Sequence, residues 1–152
     1  KTPKKLWHQE IMSETIVPVC TPYYAKQHDL IGKEHNLRQC TLLHDNQAWD
    51  YDSNVDEWES WARKYNIESI DQIPSIGFDR SDLAVVAAIN NAGVAMGRHS
   101  LVKKRIESGE LITPFPNKEI PCAQRYYIAT LPNNHTQKID LFIDWISHEA
   151  RL

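Results

Sequence analysis

The sequence predicts an α/β domain with a mainly parallel sheet, because short apolar segments alternate with amphipathic ones along the chain. The predicted strands are residues 15–20, 36–45, 75–78, 94–96 and 125–131. The predicted helices are residues 22–27, 56–65, 81–92, 100–108 and 136–150. A chain of 152 residues, 41% of them hydrophobic and 24% charged, is long and apolar enough for one full-sized domain with its own core.

The charge and the cysteines of the chain argue against several classes of function. A formal net charge of -3 disfavours nucleic-acid binding by these residues, since that needs a concentrated basic face. Cys20, Cys40 and Cys122 are odd in number, far apart and without C-x-x-C spacing, so we expect no disulfide framework, zinc site or cofactor. A reducing cytoplasm fits this cysteine usage, and no apolar run is long enough to span a membrane.

Local signals predict where the first helices lie. Thr21 followed by Pro22 is typical of an N-cap with proline at the first helical position. Trp58 and Trp61 lie on one face of the next predicted helix, so both are predicted to be buried. Residues 1–9 show no helix or strand pattern, and without an initiator Met we expect the chain to begin inside a larger protein.

The later helices have predicted caps and buried faces of their own. Ser81 is the predicted N-cap of the third helix, Leu83 and Val86 lie on its predicted apolar flank, and Gly93 is its predicted stop. The inward residues predicted for the last two helices are Leu101, Val102 and Ile106, then Ile139, Phe142, Ile143 and Ile146.

Two predicted strands end in residues that suit ligand binding. Open α/β sheets bind small molecules beyond the carboxyl ends of their strands, often at a helix N-terminus. Asp79, Arg80 and Ser81 form a polar corner at such a position. The candidate site residues at the two strand ends are His44, Asp45, Phe78, Asp79, Arg80 and Ser81.

Several short motifs, taken in order along the chain, resemble one family. They are Pro18-Val-Cys-Thr-Pro22, Thr41-Leu-Leu-His-Asp45, Trp58-x-x-Trp61, Gly77-Phe-Asp-Arg-Ser-Asp82, Gly93-Val-Ala-Met-Gly97, Ser108-Gly-Glu-Leu-Ile-Thr-Pro-Phe115 and Tyr126-Tyr127-Ile128. This order is similar to that in the effector-binding domain of LysR-type transcriptional regulators, in the branch with the glycine-cleavage and β-lactamase activators. The motifs His44-Asp45-x-Gln47-Ala48-Trp49 and Asp56-Glu57-Trp58, together with Ile76 through Asp82, resemble those of regulators of D-serine breakdown.

The resemblance implies a periplasmic-binding-protein-like fold, with two α/β lobes, two crossing strands and an effector in the cleft. Residues 1–20 would be the end of lobe one and the first crossing strand, and residues 21–110 lobe two. Residues 111–115 would be the return crossing, and residues 116–152 the C-terminal part of lobe one. The DNA-binding winged helix-turn-helix, the linker helix and the start of lobe one are expected to lie outside these residues.

The resemblance also implies an activator of transcription with D-serine as its suspected effector. D-Serine presents a carboxylate, an ammonium and a hydroxyl, which need an anion site, a carboxylate partner and a polar donor or acceptor. Arg80, or the N–H groups after Ser81, are expected to take the carboxylate, and Asp79 is expected to neutralise the ammonium.

The remaining expectations concern the rest of the site and the partners. His44 and Asp45 are expected to reach the hydroxyl or orient Arg80, with Phe78 beside them and Thr21 lining the cleft floor. The family implies promoter DNA as a partner, bound through the outlying N-terminal domain, and a homodimer or tetramer. No membrane partner is expected.

Three alternatives stand beside this interpretation. Cys20 or Cys40 with a histidine would suggest a hydrolase, but neither lies in a nucleophile elbow, and no G-x-S-x-G, P-loop, H-E-x-x-H or G-x-G-x-x-G motif occurs. A solute-binding protein of a transport system shares the two-lobe design. A regulator that senses a different amino acid or small anion is the third alternative.

Overall fold

The structure, a computed structural model, describes residues 6–46, 57–122, 125–132 and 136–150, so the motif residues Gln47, Ala48, Trp49 and Asp56 lie outside the described part. The strands are β1 (Trp7–Met12), β2 (Thr15–Val19), β3 (Leu42–Asp45), β4 (Ser75–Phe78), β5 (Val94–Arg98), β6 (Ile120–Pro121) and β7 (Tyr126–Thr130). The helices are α1 (Pro22–Gln27), α2 (Glu57–Tyr65), α3 (Ser81–Ile89), α4 (His99–Glu107) and α5 (Gln137–Glu149), with 3-10 turns at Glu34–Gln39 and Ile70–Gln72. The predicted α/β class is confirmed.

The chain divides into two compact units. The terminal unit comprises Lys1–Glu14 and Cys122–Leu152, and the central unit comprises Thr15–Pro121. Strands β1 and β7 and helix α5 belong to the terminal unit, and the other elements belong to the central unit. The lobe boundaries expected from the resemblance stay a prediction.

The central unit is built on a five-stranded sheet with the order β4-β3-β5-β2-β6. β3 pairs in parallel with both β4 and β5, whereas β2 pairs antiparallel with both β5 and β6. The sheet is therefore mixed, and the expectation of a mainly parallel sheet is wrong. Alternation of strands and helices predicts parallel pairing between strands joined by a helix, but β2 pairs with strands far along the chain, whose direction that alternation does not determine.

The terminal unit pairs the two ends of the described chain. β1 and β7 form an antiparallel two-stranded sheet, and Arg125 Nη1 lies 2.6 Å from Glu10 Oε1. Gln9 Nε2 on β1 donates a hydrogen bond of 3.2 Å to Ser147 Oγ on α5. β1 was not predicted, because its mixed polar and apolar residues have little local strand signal and depend on a partner more than a hundred residues away.

The core of the central unit lies between the sheet and helices α3 and α4. Its fully or almost fully buried members are Val17, Val19, Leu43, Ala84, Val85, Ala88, Ala95, Val102 and Leu111. Trp58 and Trp61 on α2 are buried as predicted, and their indole N–H groups donate to the carbonyls of Leu43 at 3.2 Å and Lys118 at 2.6 Å. Each tryptophan thus has a partner for its polar atom as well as burial of its ring.

Helix α3 turns a different face to the core from the one predicted. Ala84 and Ala88 are fully buried, while Leu83 is 41% and Val86 48% exposed. Because α3 is apolar almost all round, helical periodicity does not single out one face. The small alanine side chains permit a close approach of the helix to the sheet, so the larger residues on the predicted flank remain outside.

Three further boundaries and faces differ from prediction. The strand predicted for residues 36–45 begins only at Leu42, because Glu34–Gln39 forms a 3-10 turn. On the last two helices Val102 and Ile143 are buried as predicted, but Leu101 and Phe142 are exposed. A run of neighbouring apolar residues in a helix cannot all lie on one buried stripe.

Gly93 has a different role from the predicted helix stop. The left-handed residue after α3 is Asn91, with φ of 60°. A Cβ atom on Gly93 would lie 2.2 Å from the carbonyl oxygen of Thr41, which accepts the Val94 N–H at 2.9 Å. Glycine is required here because the start of β5 passes directly over the backbone that leads into β3.

We expect Gly93→Ala to lower the free energy of unfolding by about 3 kcal/mol, the upper end of the ordinary range for overpacking. The clash is with a backbone carbonyl that cannot turn away without breaking the β3–β5 pairing. Urea denaturation measures the loss. Gly77→Ala is the matched control, because the three atoms nearest to its Cβ would all belong to the Asn46 side chain, and we expect a change within about 1 kcal/mol. Equal stabilities of the two variants would contradict this explanation.

Candidate functional site

The carboxyl ends of β3 and β4 lie side by side and carry the predicted site. In the parallel register His44 pairs with Gly77 and Asp45 with Phe78. The Asn46 N–H extends this pairing by donating to the Phe78 carbonyl at 2.8 Å. The sheet therefore brings two predicted strand ends to one edge, with Asp79, Arg80 and Ser81 directly after β4. We call this border of the sheet the carboxyl edge.

Phe78 anchors the corner to the core. It is half-buried and packs against the core cluster, whereas Asp79 and Arg80, which follow it, are exposed. His44 and Asp45 are each half-buried at the neighbouring strand end. The corner thus has one apolar attachment and presents its charged groups to solvent.

Arg80 makes a two-pronged ion pair with Asp82. Arg80 Nε lies 2.9 Å from Asp82 Oδ1, and Arg80 Nη2 lies 2.5 Å from Asp82 Oδ2. The hydrogen bond with Arg80 lowers the pKa of the Asp82 carboxyl and raises that of the guanidinium. Both side chains remain at least half exposed, at 69% and 50%. The guanidinium is therefore accessible, but one of its forks already holds a carboxylate.

The N-terminus of α3 differs from the predicted cap. Arg80 occupies the N-cap position and Ser81 is the first helical residue. Asp82 lies in the first turn, and backbone N–H groups of Asp82 and Leu83 also help to lower the pKa of its carboxyl. A carboxylate there complements the positive end of the helix dipole. Ser81 is partly buried and has no capping role.

The structure adds Asn46 to the residues at the carboxyl edge. A Cβ atom on Gly77 would lie 2.2 Å from Asn46 Nδ2, so the Asn46 amide lies directly on the glycine backbone. An isolated glycine within a predicted strand is a recognised sign of such a close approach, and this signal was available in the sequence. Asn46 offers both a donor and an acceptor beside Phe78.

A second helix N-terminus also lies at the carboxyl edge. β5 runs parallel to β3 and ends at Arg98, which is the N-cap residue of α4. The first residue of α4 is His99. The N-termini of α3 and α4 therefore flank the end of β3, and their dipoles make this edge favourable for an anion.

Thr21 is not brought to this edge. β2 is antiparallel to β5, with Ile16 opposite Arg98 and Val19 opposite Ala95, so β2 ends at the amino end of β5. The Thr21 hydroxyl caps α1 by accepting the Tyr24 N–H at 3.1 Å, and it donates to Asn91 Oδ1. The predicted cap is confirmed, but Thr21 lies across the sheet from the other six candidate residues.

The central unit also has two cavities. One of about 740 Å³ lies between the 3-10 turn at Glu34–Gln39 and the loop that follows α2. The other, of about 240 Å³, includes Val17, His99 and Phe115 in its lining. As far as the described residues show, the linings of these two cavities include none of the predicted site residues.

The described ranges contain neither a candidate metal site nor a membrane-spanning helix. Within them, no three His, Cys, Asp or Glu side chains come together in a way that would hold a metal ion. None of the helices described is both long enough and apolar enough to cross a membrane.

A family model of the LysR substrate binding domain matches residues 1–151. The chain therefore belongs to the LysR substrate-binding domain family, as the ordered motifs predicted. The effector domain of the transcriptional regulator AmpR of Pseudomonas aeruginosa has a TM-score of 0.77 and 22% identity, and covers 99% of this chain and 68% of its own. The AmpR effector binding domain from Citrobacter freundii has a TM-score of 0.76 and 20% identity, with 99% and 70% covered. These similarities confirm the periplasmic-binding-protein-like fold.

Curated relatives are transcriptional regulators. The HTH-type transcriptional regulator DsdC of Escherichia coli (strain K12) is 51% identical over 147 residues, which are 97% of this chain and 47% of DsdC. The glycine cleavage system transcriptional activator of the same strain is 25% identical over 142 residues, covering 93% of this chain and 44% of that protein. The chain thus spans about half the length of the curated relatives it matches.

We expect the thiols of Cys20 and Cys40 to be unreactive in the folded protein. Burial raises the pKa of Cys20 to about 12 and that of Cys40 to about 11, so at pH 8 only roughly one thiol in a thousand or fewer is the nucleophilic thiolate. Iodoacetamide labelling followed by mass spectrometry checks this, with labelling in denaturant as the control. Rapid modification of the native protein would contradict it and revive a thiol-based activity.

We expect Thr21→Ala to destabilise the protein by about 1–2 kcal/mol without changing any effector response. The variant loses the cap of α1 and leaves Asn91 without its hydroxyl donor. Thermal unfolding and effector titration measure the two effects. Thr136→Ala is the matched control, because Thr136 caps α5 through a longer, exposed bond of 3.4 Å, and its loss should cost less. A weakened effector response in Thr21→Ala would place Thr21 at the site after all.

Proposed function

We propose that this chain is part of the effector-binding domain of a LysR-type transcriptional activator that senses D-serine. The observation that carries the proposal is the 51% identity with DsdC over 97% of the chain. The motifs resembling regulators of D-serine breakdown support the same effector, and two of them, around His44 and around Trp58, include residues of the central unit. Membership of the LysR substrate-binding domain family defines the class of protein, and D-serine as its effector is the proposal.

The proposed binding surface is the carboxyl edge of the central unit. Arg80 and the first N–H groups of α3 form the anion site for the effector carboxylate, because a guanidinium fork and a helix N-terminus both suit that shape. Asp79, exposed and adjacent to Arg80, takes the ammonium. The effector is thereby held by two opposite charges in neighbouring positions.

The hydroxyl of D-serine is the third group to be bound. His44 and Asp45 lie at the end of β3, and the Asn46 amide lies on Gly77 beside them. Each of these side chains carries a donor or an acceptor within the same edge. The order of charges and hydroxyl partners around the bound α-carbon would distinguish the D from the L form, since inversion exchanges two of the three polar contacts. Thr21 has no contact in this arrangement.

The activating step is a shift between two states of the regulator. An effector can change transcription only if it binds one arrangement of the protein more tightly than the other. Promoter DNA is bound by a domain outside this chain, and the protein acts as a homo-oligomer, as is typical of the family. In this function D-serine is a signal and is not consumed, so incubation with the regulator leaves its concentration unchanged.

An effector of the same class but different identity is the second candidate. The 25% identity with the glycine cleavage system transcriptional activator over 142 residues favours a small amino acid of some kind. Glycine lacks the hydroxyl and L-serine has the opposite configuration, so the two compounds test the two specific features of the proposal.

We expect the complete regulator to bind D-serine with micromolar affinity, and L-serine and glycine at least about tenfold more weakly, the effect of about 1.4 kcal/mol from one lost charge-assisted contact. Isothermal titration calorimetry with each compound provides the measurement. Equal affinities for the three compounds would be consistent with a small amino acid as the effector, but would contradict the proposal that the effector is D-serine. Binding of neither serine by folded regulator would refute the D-serine function.

Arg80→Ala in the complete regulator should abolish the D-serine response and leave promoter binding unchanged. Removing the guanidinium deletes the cation of the anion site, while the fold retains the exposed corner. Arg105→Ala is the matched control, since Arg105 forms a comparable exposed pair with Glu110 at 2.6 Å. A reporter assay with increasing D-serine checks both variants. An unmoved half-maximal concentration in Arg80→Ala would show that the carboxylate binds elsewhere.

A further inference from the structure

In the structure the guanidinium proposed for the effector carboxylate holds a carboxylate of the chain itself. Both oxygens of Asp82 face Arg80, with Nε–Oδ1 at 2.9 Å and Nη2–Oδ2 at 2.5 Å. This parallel two-bond pairing is the geometry in which arginine binds a free carboxylate. An effector carboxylate bound at this Nε–Nη2 fork would compete with Asp82 for the same two N–H donors.

We propose that Asp82 is a built-in competitor that occupies the anion site until the effector carboxylate displaces it. The inference rests on the proposed function and names a further residue that determines effector affinity. Asp82 is suited to this role because it belongs to the first turn of α3, only two residues beyond Arg80. Its carboxylate reaches the guanidinium without a change in the path of the backbone.

Asp82 also engages the N-terminus of α3, which is the second component of the proposed anion site. Its carboxylate accepts from the guanidinium and is further stabilised by the backbone N–H groups of Asp82 and Leu83 at the start of α3. Accordingly, the pKa of this carboxyl is below its ordinary value. Arg80 and the helix N-terminus are thus both engaged by one carboxylate, as they would be by a bound amino acid.

The exposure of the pair makes displacement feasible. Arg80 is 69% and Asp82 50% exposed, and exposed ion pairs contribute little to stability because water competes for both charges. A ligand with a carboxylate and an ammonium can outcompete such a partner through its additional contact with Asp79.

The arrangement also limits the class of effector. Asp79 and Asp82 lie on either side of Arg80 in sequence, and both carboxylates raise the pKa of its guanidinium. A ligand with a second carboxylate would meet two negative side chains around one cation. The site is therefore suited to a monocarboxylic amino acid, and dicarboxylic ones such as aspartate should be rejected.

The test is the affinity of the complete regulator for D-serine after Asp82→Asn, measured by isothermal titration calorimetry. Removing the competing charge should tighten binding about three- to fivefold, the equivalent of an exposed ion pair. Glu110→Gln is the matched control: it removes one negative charge from the exposed pair with Arg105 at the C-terminal end of α4, and affinity should not change. Promoter binding without effector should be the same in the wild type and in Glu110→Gln.

A double variant tests whether Asp82 acts through Arg80. In an Arg80→Lys background, which keeps the charge but loses the fork, Asp82→Asn should give less than half of its gain in the wild type. An equal gain in both backgrounds would indicate a general electrostatic effect and overturn the competitor role. Unchanged or weaker D-serine binding by the single variant Asp82→Asn would also overturn the competitor role. Weaker binding would indicate that Asp82 contacts the ammonium of the effector. Failure of the wild type to bind D-serine would instead refute the proposed function.

Discussion

The pairing of β3 with β5 is the constraint on which the rest of the central unit depends. The Val94 N–H reaches the Thr41 carbonyl at 2.9 Å only because Gly93 has no side chain. This contact places the start of β5 beside the start of β3, and the two strands run parallel from there. As a result, the carboxyl ends of β3, β4 and β5 share one edge, and α3 and α4 both begin there. A backbone contact at one end of the sheet thus positions the charged residues at the other.

The chemistry of the carboxyl edge is determined by competition among a few charges. Arg80 is exposed, and both Asp79, which precedes it, and Asp82, two residues further on, are acidic. The positive ends of two helices reinforce the cation, and the first turn of α3 supplies the carboxylate that occupies it. The edge therefore attracts an anion but already holds the carboxylate of Asp82. Such an arrangement suits a sensor more than a tight, permanent binding site.

Sequence patterns predicted most of the elements of the central unit, because these are encoded locally. Thr21 before Pro22 predicted the cap and start of α1, and Trp58 with Trp61 predicted the buried face of α2. The direction of β2 and the existence of β1 were not predicted, since both depend on pairing between distant segments. The prediction of the buried face of α3 was wrong, because a helix that is apolar on all sides has no face that periodicity can select.

The same distinction applies to the site. The positions of His44, Phe78 and Arg80 at one edge followed from the general behaviour of parallel strands. Thr21 was misplaced because the antiparallel direction of β2 puts its end on the opposite border. The engagement of Arg80 by Asp82 was not predicted, since a spacing of two residues is not a favourable pair within a helix. Here Arg80 precedes the helix, and its extended backbone makes the contact possible.

Helix α3 connects the two borders of the sheet mechanically. Its first turn carries Asp82, and Asn91, just beyond its last turn, is hydrogen-bonded to Thr21 at the start of α1. Nine residues of α-helix form a rod of about 13 Å with little axial compliance. The rod therefore holds the two borders of the sheet at a fixed separation, and the bond between Asn91 and Thr21 stabilises that spacing.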